Sequence, residues 1–391
     1  MVSVSEAKKL IKENCLIEII KEISLIQAVG FVIAEKMYAP FDTPHFNQSA
    51  MDGYAFSFED WDKTSDLEII GEVQAGNVFQ EKISAMKAVR IFTGAALPKD
   101  VDTVVIQENV IRTDNTISIK NDLLKKGNNI RLIGSQTKKG ELIAEANQII
   151  TPATISFLAS FGIYKIKVYY NPSISIITTG KELLQQNEQL TEGKIYESNS
   201  YTLIAALQQM NISPTSVQTV DDDEAAITKA IRQQLQSNIV LITGGISVGD
   251  YDFVSSALEK CGVKKIFHKV KQKPGKPFYF GTFGQTLIFA LPGNPASVLS
   301  CFYEYVVEAI GFFSKKNYYK KLQLPLANDY SKKRGLTFFL KGKIQNNSAF
   351  ILSHQESYKM NSFAEANCLI ELAEDKENYF KNDIVNVLML N

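Results

Sequence analysis

Between residues 172 and 318, unbroken apolar runs alternate with segments whose apolar positions recur every three or four residues. SISIITTG (173–180), NIVLITGG (238–245) and TLIFALPG (286–293) read as strands buried on both faces, and SPTSVQTV (213–220) as a further strand. Between them the spacing predicts helices over SNSYTLIAALQQM (198–210, with Ser198 as cap), DDDEAAITKAIRQQLQ (221–236) and YDFVSSALEKCG (251–262). A long helix follows over PASVLSCFYEYVVEAIGFF (295–313), with Pro295 in its first turn. Strands alternating with helices of this length predict a central, mostly parallel α/β sheet covered on both faces. Ligands in such folds sit outside the carboxyl ends of the strands, where TTG, TGG and LPGNP all fall.

The flanks have other periods. Residues 41–138 carry short β-rich runs (LEIIGEV, AVRIFTG, DTVVIQENV, TISIK) separated by Gly, Pro and Asn, which predicts an inserted small β domain. The segment 1–40 opens with a helix whose Ser3 and Glu6 stand at capping-box spacing. It is expected to pack with 139–171, which includes the helix TPATISFLASFG (151–162), as a mixed linking domain. After the α/β domain (172–318), LTFFLKGKIQ, AFILSHQ, NCLIELA and DIVNVLML predict a C-terminal β-barrel-like domain over 319–391.

Charge adds an exclusion. Forty-two Lys and Arg balance 42 Asp and Glu across 391 residues, so no global field gathers nucleic acid or an anionic membrane. Charges interrupt the apolar runs of the N-terminal stretch, and no segment is expected to reach membrane-spanning length. Four scattered cysteines and three isolated histidines give no zinc spacing, and free thiols fit a reducing cytoplasm.

Candidate chemistry gathers at the strand ends. Asp52, Glu182, Asp222 and Asp252 fall at turns or strand ends; singly, each also reads as a helix-start or turn charge. The last three project from one sheet edge, where like charges are costly unless a cation lies among them. Oxygen ligands without His or Cys point to Mg²⁺. In ITGGISVGDYDFV, Gly244 and Gly245 offer backbone amides to an anion beside Asp250 and Asp252, and a metal-bound phosphate reconciles the two. Lys273 and Lys276, in the proline-stiffened turn QKPGKPF, read equally as an anion site or as an exposed turn. Ser297 lies in a first helical turn, where oxyanions bind well.

SAMDGYA, IFTGAALP, GNNIRLIG, TTGKEL, TGGISVGDYDF, KPGKPF, LPGNPAS and HQESYKMNSFAEANCL resemble, in order and along the whole chain, the signature segments of the molybdopterin molybdenumtransferase family. The resemblance implies a homodimer of four-domain subunits that inserts molybdate into adenylated molybdopterin with Mg²⁺ and releases AMP. It implies a handoff from the molybdopterin adenylyltransferase and delivery to apo-molybdoenzymes. By motif position, Asp52, Thr93, Glu182, Asp222 and Asp252 match the family's active-site polar residues, with Glu182, Asp222 and Asp252 as the metal set. Gly244, Gly245 and Ser247 match its glycine loop. Lys273, Lys276, Ser297 and Ser362 match oxyanion-binding positions, and Pro292 and Pro295 the prolines that shape the cleft.

Three segments depart from the pattern. Ser135 and Gln136 replace an acidic pair, Lys181 an aspartate, and Leu336 and Lys341 two arginines, with Arg334 near enough to substitute for one. Losing a forked donor weakens oxyanion binding. These departures motivate an alternative: a molybdopterin-binding or scaffolding homologue with weak or no turnover.

Overall fold

The computed structural model describes residues 1–15, 17–246 and 253–390. Six strands, β1 (Ile174–Thr179), β2 (Ser216–Val220), β3 (Ile239–Thr243), β4 (Lys264–Lys269), β5 (Pro277–Phe283) and β6 (Thr286–Leu291), form one sheet in the order β2-β1-β3-β6-β5-β4. The first four in that order run parallel. Their register places Thr178 beside Thr243, and Thr243 beside Leu291, so the carboxyl ends are level. Every residue of β1, β3 and β6 is buried, as expected of apolar runs covered on both faces.

Helices α1 (Val4–Asn14), α2 (Asn199–Gln209) and α5 (Pro295–Ser314) share one core cluster with the sheet; α3 (Glu224–Gln234) and α4 (Phe253–Lys260) contribute to a second. Two compact units result, Met1–Glu22 with Lys167–Asn391, and Ile23–Ile166.

Several expectations change here. The lysines before β6 are exposed or half-buried, and three of them, Lys264, Lys265 and Lys269, stand on one strand. That strand, β4, pairs antiparallel with β5, and Phe267 packs 5.6 Å from Phe278 and 5.5 Å from Phe280, centroid to centroid. Exposed lysines on an edge strand interrupt the apolar signal while protecting the edge from further pairing. The N-terminal segment also divides. Val4, Ala7 and Ile11 of α1 join the α/β core. Residues 23–40 instead pair with the later stretch, Gly30 N–H donating to Ile150 O at 2.8 Å and Ile33 N–H to Gln148 O at 2.9 Å. One helix does reach membrane-spanning length: α5 has 20 residues and a mean hydropathy of 1.3. It is 83% buried within its own unit, as a core helix is.

A π-helical turn, Phe302–Val306, interrupts α5, and Glu304 and Tyr305 are both buried there. The Lys8 ammonium lies 2.6 Å from the Glu304 carboxylate. Burial alone would depress the Lys8 pKa, but Glu304, supported by Glu371 and Glu308, outweighs it and the pKa rises.

The C-terminal strands Lys321–Pro325, Thr337–Gln345, Ser348–Ile351, Cys368–Leu372 and Ile384–Met389 form the expected β domain. Along Thr337–Gln345 the faces alternate: Phe338 and Leu340 enter that domain's own core, whereas Phe339 joins the α/β core.

In the second unit, Thr103–Ile106, Gly53–Phe56, Lys87–Ile91, Leu67–Val73, Thr116–Ile119 and Val110–Thr113 pair in that order. Ala55 and Val89 enter one core of this sheet and Tyr54 and Ala88 the other, as strand alternation requires.

Replacing Glu304 with Gln leaves a largely buried ammonium without its counter-charge. It is expected to lower stability by about 3 kcal/mol in urea unfolding, with the double variant Lys8→Met/Glu304→Gln recovering part of the loss. A raised lysine pKa stabilises fully below the unfolded value and is lost only as pH rises through the folded one. Both lie at or above about 10.5, so the effect should hold constant from roughly pH 6 to 9.

Candidate functional site

A cleft of about 580 Å³ opens at the level carboxyl ends of the parallel strands. β1 delivers Thr179, Gly180 and Glu182 to it, and β2 delivers Asp222; β3 delivers Gly244 and Gly245, and β6 delivers Pro292 through Pro295. The glycines are required by geometry. Gly244 has φ +91°, and a Cβ there would stand 2.3 Å from the Thr179 carbonyl oxygen. A Cβ on Gly245, at φ +61°, would lie 2.8 Å from Val254, 3.0 Å from Thr179 Oγ1 and 3.3 Å from Asp222 Oδ1. Without side chains, backbone, hydroxyl and carboxylate approach one spot.

Six predicted residues therefore border one cavity: Glu182, Asp222, Gly244, Gly245, Pro292 and Pro295. The DDDE run is shared between two tasks. Asp223 caps α3, accepting the Ala226 N–H at 2.9 Å, while Asp222 faces the cleft.

Other predicted residues lie elsewhere. Lys273 and Lys276 are exposed and do not border the cavity; Lys273 Nζ rests 5.2 Å from the Phe338 ring centroid. Ser297, in the first turn of α5, is 3% exposed and also lies off the cavity wall. Ser362, at 4% exposure, donates its hydroxyl to His354 O at 2.7 Å rather than presenting it to an oxyanion. Asp52 and Thr93 belong to the second unit. There Asp52 Oδ1 accepts the Thr93 N–H at 2.8 Å and the Thr93 hydroxyl at 2.7 Å. These bonds, the backbone one foremost, hold its carboxyl below the usual carboxylate range, and Arg90 adds to the shift. Ser247 and Asp252 lie outside the described residues.

Two of the positions that depart from the family pattern, Leu336 and Lys341, have local partners. Leu336 packs against the C-terminal core, as a leucine in place of an arginine can. Arg334 is exposed and lies 4.0 Å from Glu377. Lys341 is 3% exposed, and its ammonium donates to the carbonyls of His354 at 2.7 Å, Lys359 at 3.0 Å and Glu356 at 3.3 Å. It braces a loop instead of offering a free cation.

Several residues with evident work here carry little sequence signal. Glu197, not Ser198, caps α2: its carboxylate accepts the Ser200 N–H at 2.8 Å and the Ser200 hydroxyl. Asn199 Nδ2 donates to Gly293 O at 2.9 Å and ties α2 to the LPGNP turn. Gln272 is 1% exposed and anchors the KPGKP turn. Its amide donates to Pro274 O and Gly275 O, each at 3.1 Å, and its oxygen accepts the Tyr305 hydroxyl. An acid before a helix-starting Ser could have flagged Glu197. Nothing local flags Gln272, because its partners are 33 positions away at Tyr305 and across the turn.

The donor set of the cleft is oxygen only. Among the described residues no three His, Cys, Asp or Glu side chains converge. Three carboxylates do line the cavity, however, those of Glu182, Glu197 and Asp222; Glu197 is engaged by Ser200, and Thr179 Oγ1 is buried there without a hydrogen-bond partner. Carboxylate and hydroxyl oxygens suit a hard divalent cation such as Mg²⁺.

Replacing Gln272 with Leu would leave the Tyr305 hydroxyl and two turn carbonyls unsatisfied. It is expected to cost about 2 kcal/mol in chemical denaturation. Gly244→Ala should cost at least as much, because both its φ and the Thr179 carbonyl oppose a methyl group.

Three family profiles match consecutive parts of the chain: "MoeA N-terminal region (domain I and II)" over residues 2–162, "Probable molybdopterin binding domain" over 175–311, and "MoeA C-terminal region (domain IV)" over 323–390. A molybdopterin molybdenumtransferase of Haemophilus influenzae is 34% identical over 93% of this chain and 92% of its own length. One from Staphylococcus epidermidis is 29% identical over 99% and 95%. Two crystal structures of the molybdopterin biosynthesis moeA protein from Pyrococcus horikoshii align with the whole chain. One has a TM-score of 0.85 at 26% identity, covering 99% of that chain, and the other 0.77 at 30% identity, covering all of it. With its fold, its strand-end cleft and these relatives in agreement, the chain belongs to the molybdopterin molybdenumtransferase family of transferases.

Proposed function

We propose that this protein inserts molybdate into adenylated molybdopterin in a Mg²⁺-dependent reaction that releases AMP. The observation that carries the reading is the convergence of Glu182, Asp222, Thr179 and the Gly244–Gly245 backbone at one sheet edge. A phosphate-bearing substrate needs a close approach to backbone amides, and the two glycines allow it. Glu182 and Asp222, with Asp252 by family resemblance, would hold Mg²⁺, which supplies charge neutralisation around the phosphate. Pro292 and Pro295 border the same cavity and fix its wall.

The further assignments follow the resemblance. Lys273 and Lys276 are carried as oxyanion contacts on a turn that Gln272 holds in place. Ser297 and Ser362 occupy buried positions, from which Ser362 holds the His354 carbonyl. Asp52 and Thr93 offer an ionised carboxylate and a hydroxyl, and Ser247 retains its glycine-loop role by motif alone. The protein acts as a cytoplasmic homodimer. Four cysteines without disulfides suit that compartment, and exposed apolar residues such as Ile26, Leu132, Ile133 and Tyr164 supply surface for self-association. Its substrate comes from the adenylyltransferase, and its product goes to apo-molybdoenzymes.

The test is AMP release from adenylated molybdopterin with Mg²⁺, measured with and without molybdate, together with reconstitution of an apo-molybdoenzyme. Release that depends on molybdate, with reconstitution, is expected. Asp222→Asn and Glu182→Gln should each lower kcat at least about a hundredfold with unfolding midpoints unchanged. Tight substrate binding with neither product would favour the scaffolding alternative, to which the replaced arginine at Leu336 points.

A further inference from the structure

Tyr358 borders the same cleft, yet its side chain is 65% exposed. The backbone around it is tied down on every side. Ser357 O accepts the Ala296 N–H at 3.1 Å, and Ser357 Oγ accepts from Asn294 Nδ2 at 3.0 Å. One residue beyond Tyr358, the Lys359 carbonyl is held by the Lys341 ammonium, which also gathers His354 O and Glu356 O. The Gln355 side chain exchanges two bonds of 2.9 Å with the Lys341 backbone, and Ser362 fastens His354 O.

A braced loop that holds most of a large aromatic ring in water, with the Lys359 ammonium 5.9 Å from its centroid, gains little for folding, because the ring is largely uncovered. Such a ring is useful when a ligand covers it. The rest of the cleft defines that ligand. Its floor is polar, built of carboxylates and glycine backbone, while its rim exposes Ile195 (56%) and Tyr196 (40%). A molecule with a phosphate at one end and a flat, fused ring at the other matches both parts. Stacking such a ring on an aromatic side chain is worth about 1–3 kcal/mol.

We infer that Tyr358 is the platform on which the cleft stacks a fused heteroaromatic ring of its substrate, and that Lys341 is the positioning residue that holds it there. The inference rests on the transferase reading. Two rings of an adenylated pterin share the required chemistry, the purine and the pterin, so the test uses a probe for each.

Binding of AMP and of a phosphate-free pterin is measured by calorimetry for the wild type, Tyr358→Phe and Tyr358→Ser. Tyr358→Ser should weaken one probe by roughly tenfold, and Tyr358→Phe should remain within about twofold of wild type; the probe affected names the ring. In turnover, Tyr358→Ser should raise the KM for adenylated molybdopterin by a similar factor with kcat nearly unchanged. Lys341→Met should give the same KM shift, and adding Tyr358→Ser to it should change little more. If the wild type turns over but Tyr358→Ser leaves both affinities and KM unchanged, the stacking role is overturned and the transferase reading stands. If the wild type neither binds a probe nor releases AMP, both are overturned.

Discussion

The architecture of the cleft depends on the contact between Gly244 and the Thr179 carbonyl. Neighbouring parallel strands end level because their register is fixed by side chains buried on both faces. At that level the chain leaving β3 must cross the end of β1, and only a residue without Cβ passes. A methyl group at Gly244 would sit 2.3 Å from the carbonyl oxygen. The next residue repeats the constraint, since a side chain on Gly245 would occupy the space beside Thr179 Oγ1 and Asp222 Oδ1. The sheet thus sets both the backbone path and the position of the carboxylates around it.

Around that edge, buried or half-buried polar side chains hold irregular segments that have no regular hydrogen-bond ladder of their own. Gln272 gathers the carbonyls of the KPGKP turn, Lys341 those of the 354–359 loop, and Asn199 the Gly293 carbonyl. Each is long enough to reach backbone groups that would otherwise be left unpaired in a dry environment. Burial lowers the Lys341 pKa, and Glu356 opposes that shift. The loops therefore owe their shape to the domain interior as much as to their own residues.

Much of this was legible in the chain. β1, β3 and β6 announce themselves as apolar runs, and α1, α2, α3 and α5 as periodic segments. The strand-end glycines and prolines mark the cleft because only they permit its backbone. What stayed hidden has a common cause. β4 sets lysines on either side of Ile266–His268 at the sheet edge, so its pattern carries no clear apolar period. The fate of α1 depends on which apolar face it meets, and amphipathicity does not name the partner. Ser297 and Ser362 stand at motif positions, but exposure is a tertiary property, and both hydroxyls lie off the cavity wall. Lys341 acts through partners 13 to 18 positions away, and Gln272 is locked by Tyr305, 33 positions away, so no spacing rule finds them.

The most direct test of the central claim, that one sheet edge binds phosphate and cation together, is a crystal structure with adenylated molybdopterin and Mn²⁺ as an anomalous stand-in for Mg²⁺. The account predicts the substrate's phosphate against the Gly244–Gly245 backbone and an anomalous peak between it and the carboxylates of Glu182 and Asp222. Substrate bound away from the carboxyl ends of β1, β2 and β3, or a metal held by neither carboxylate, would contradict it.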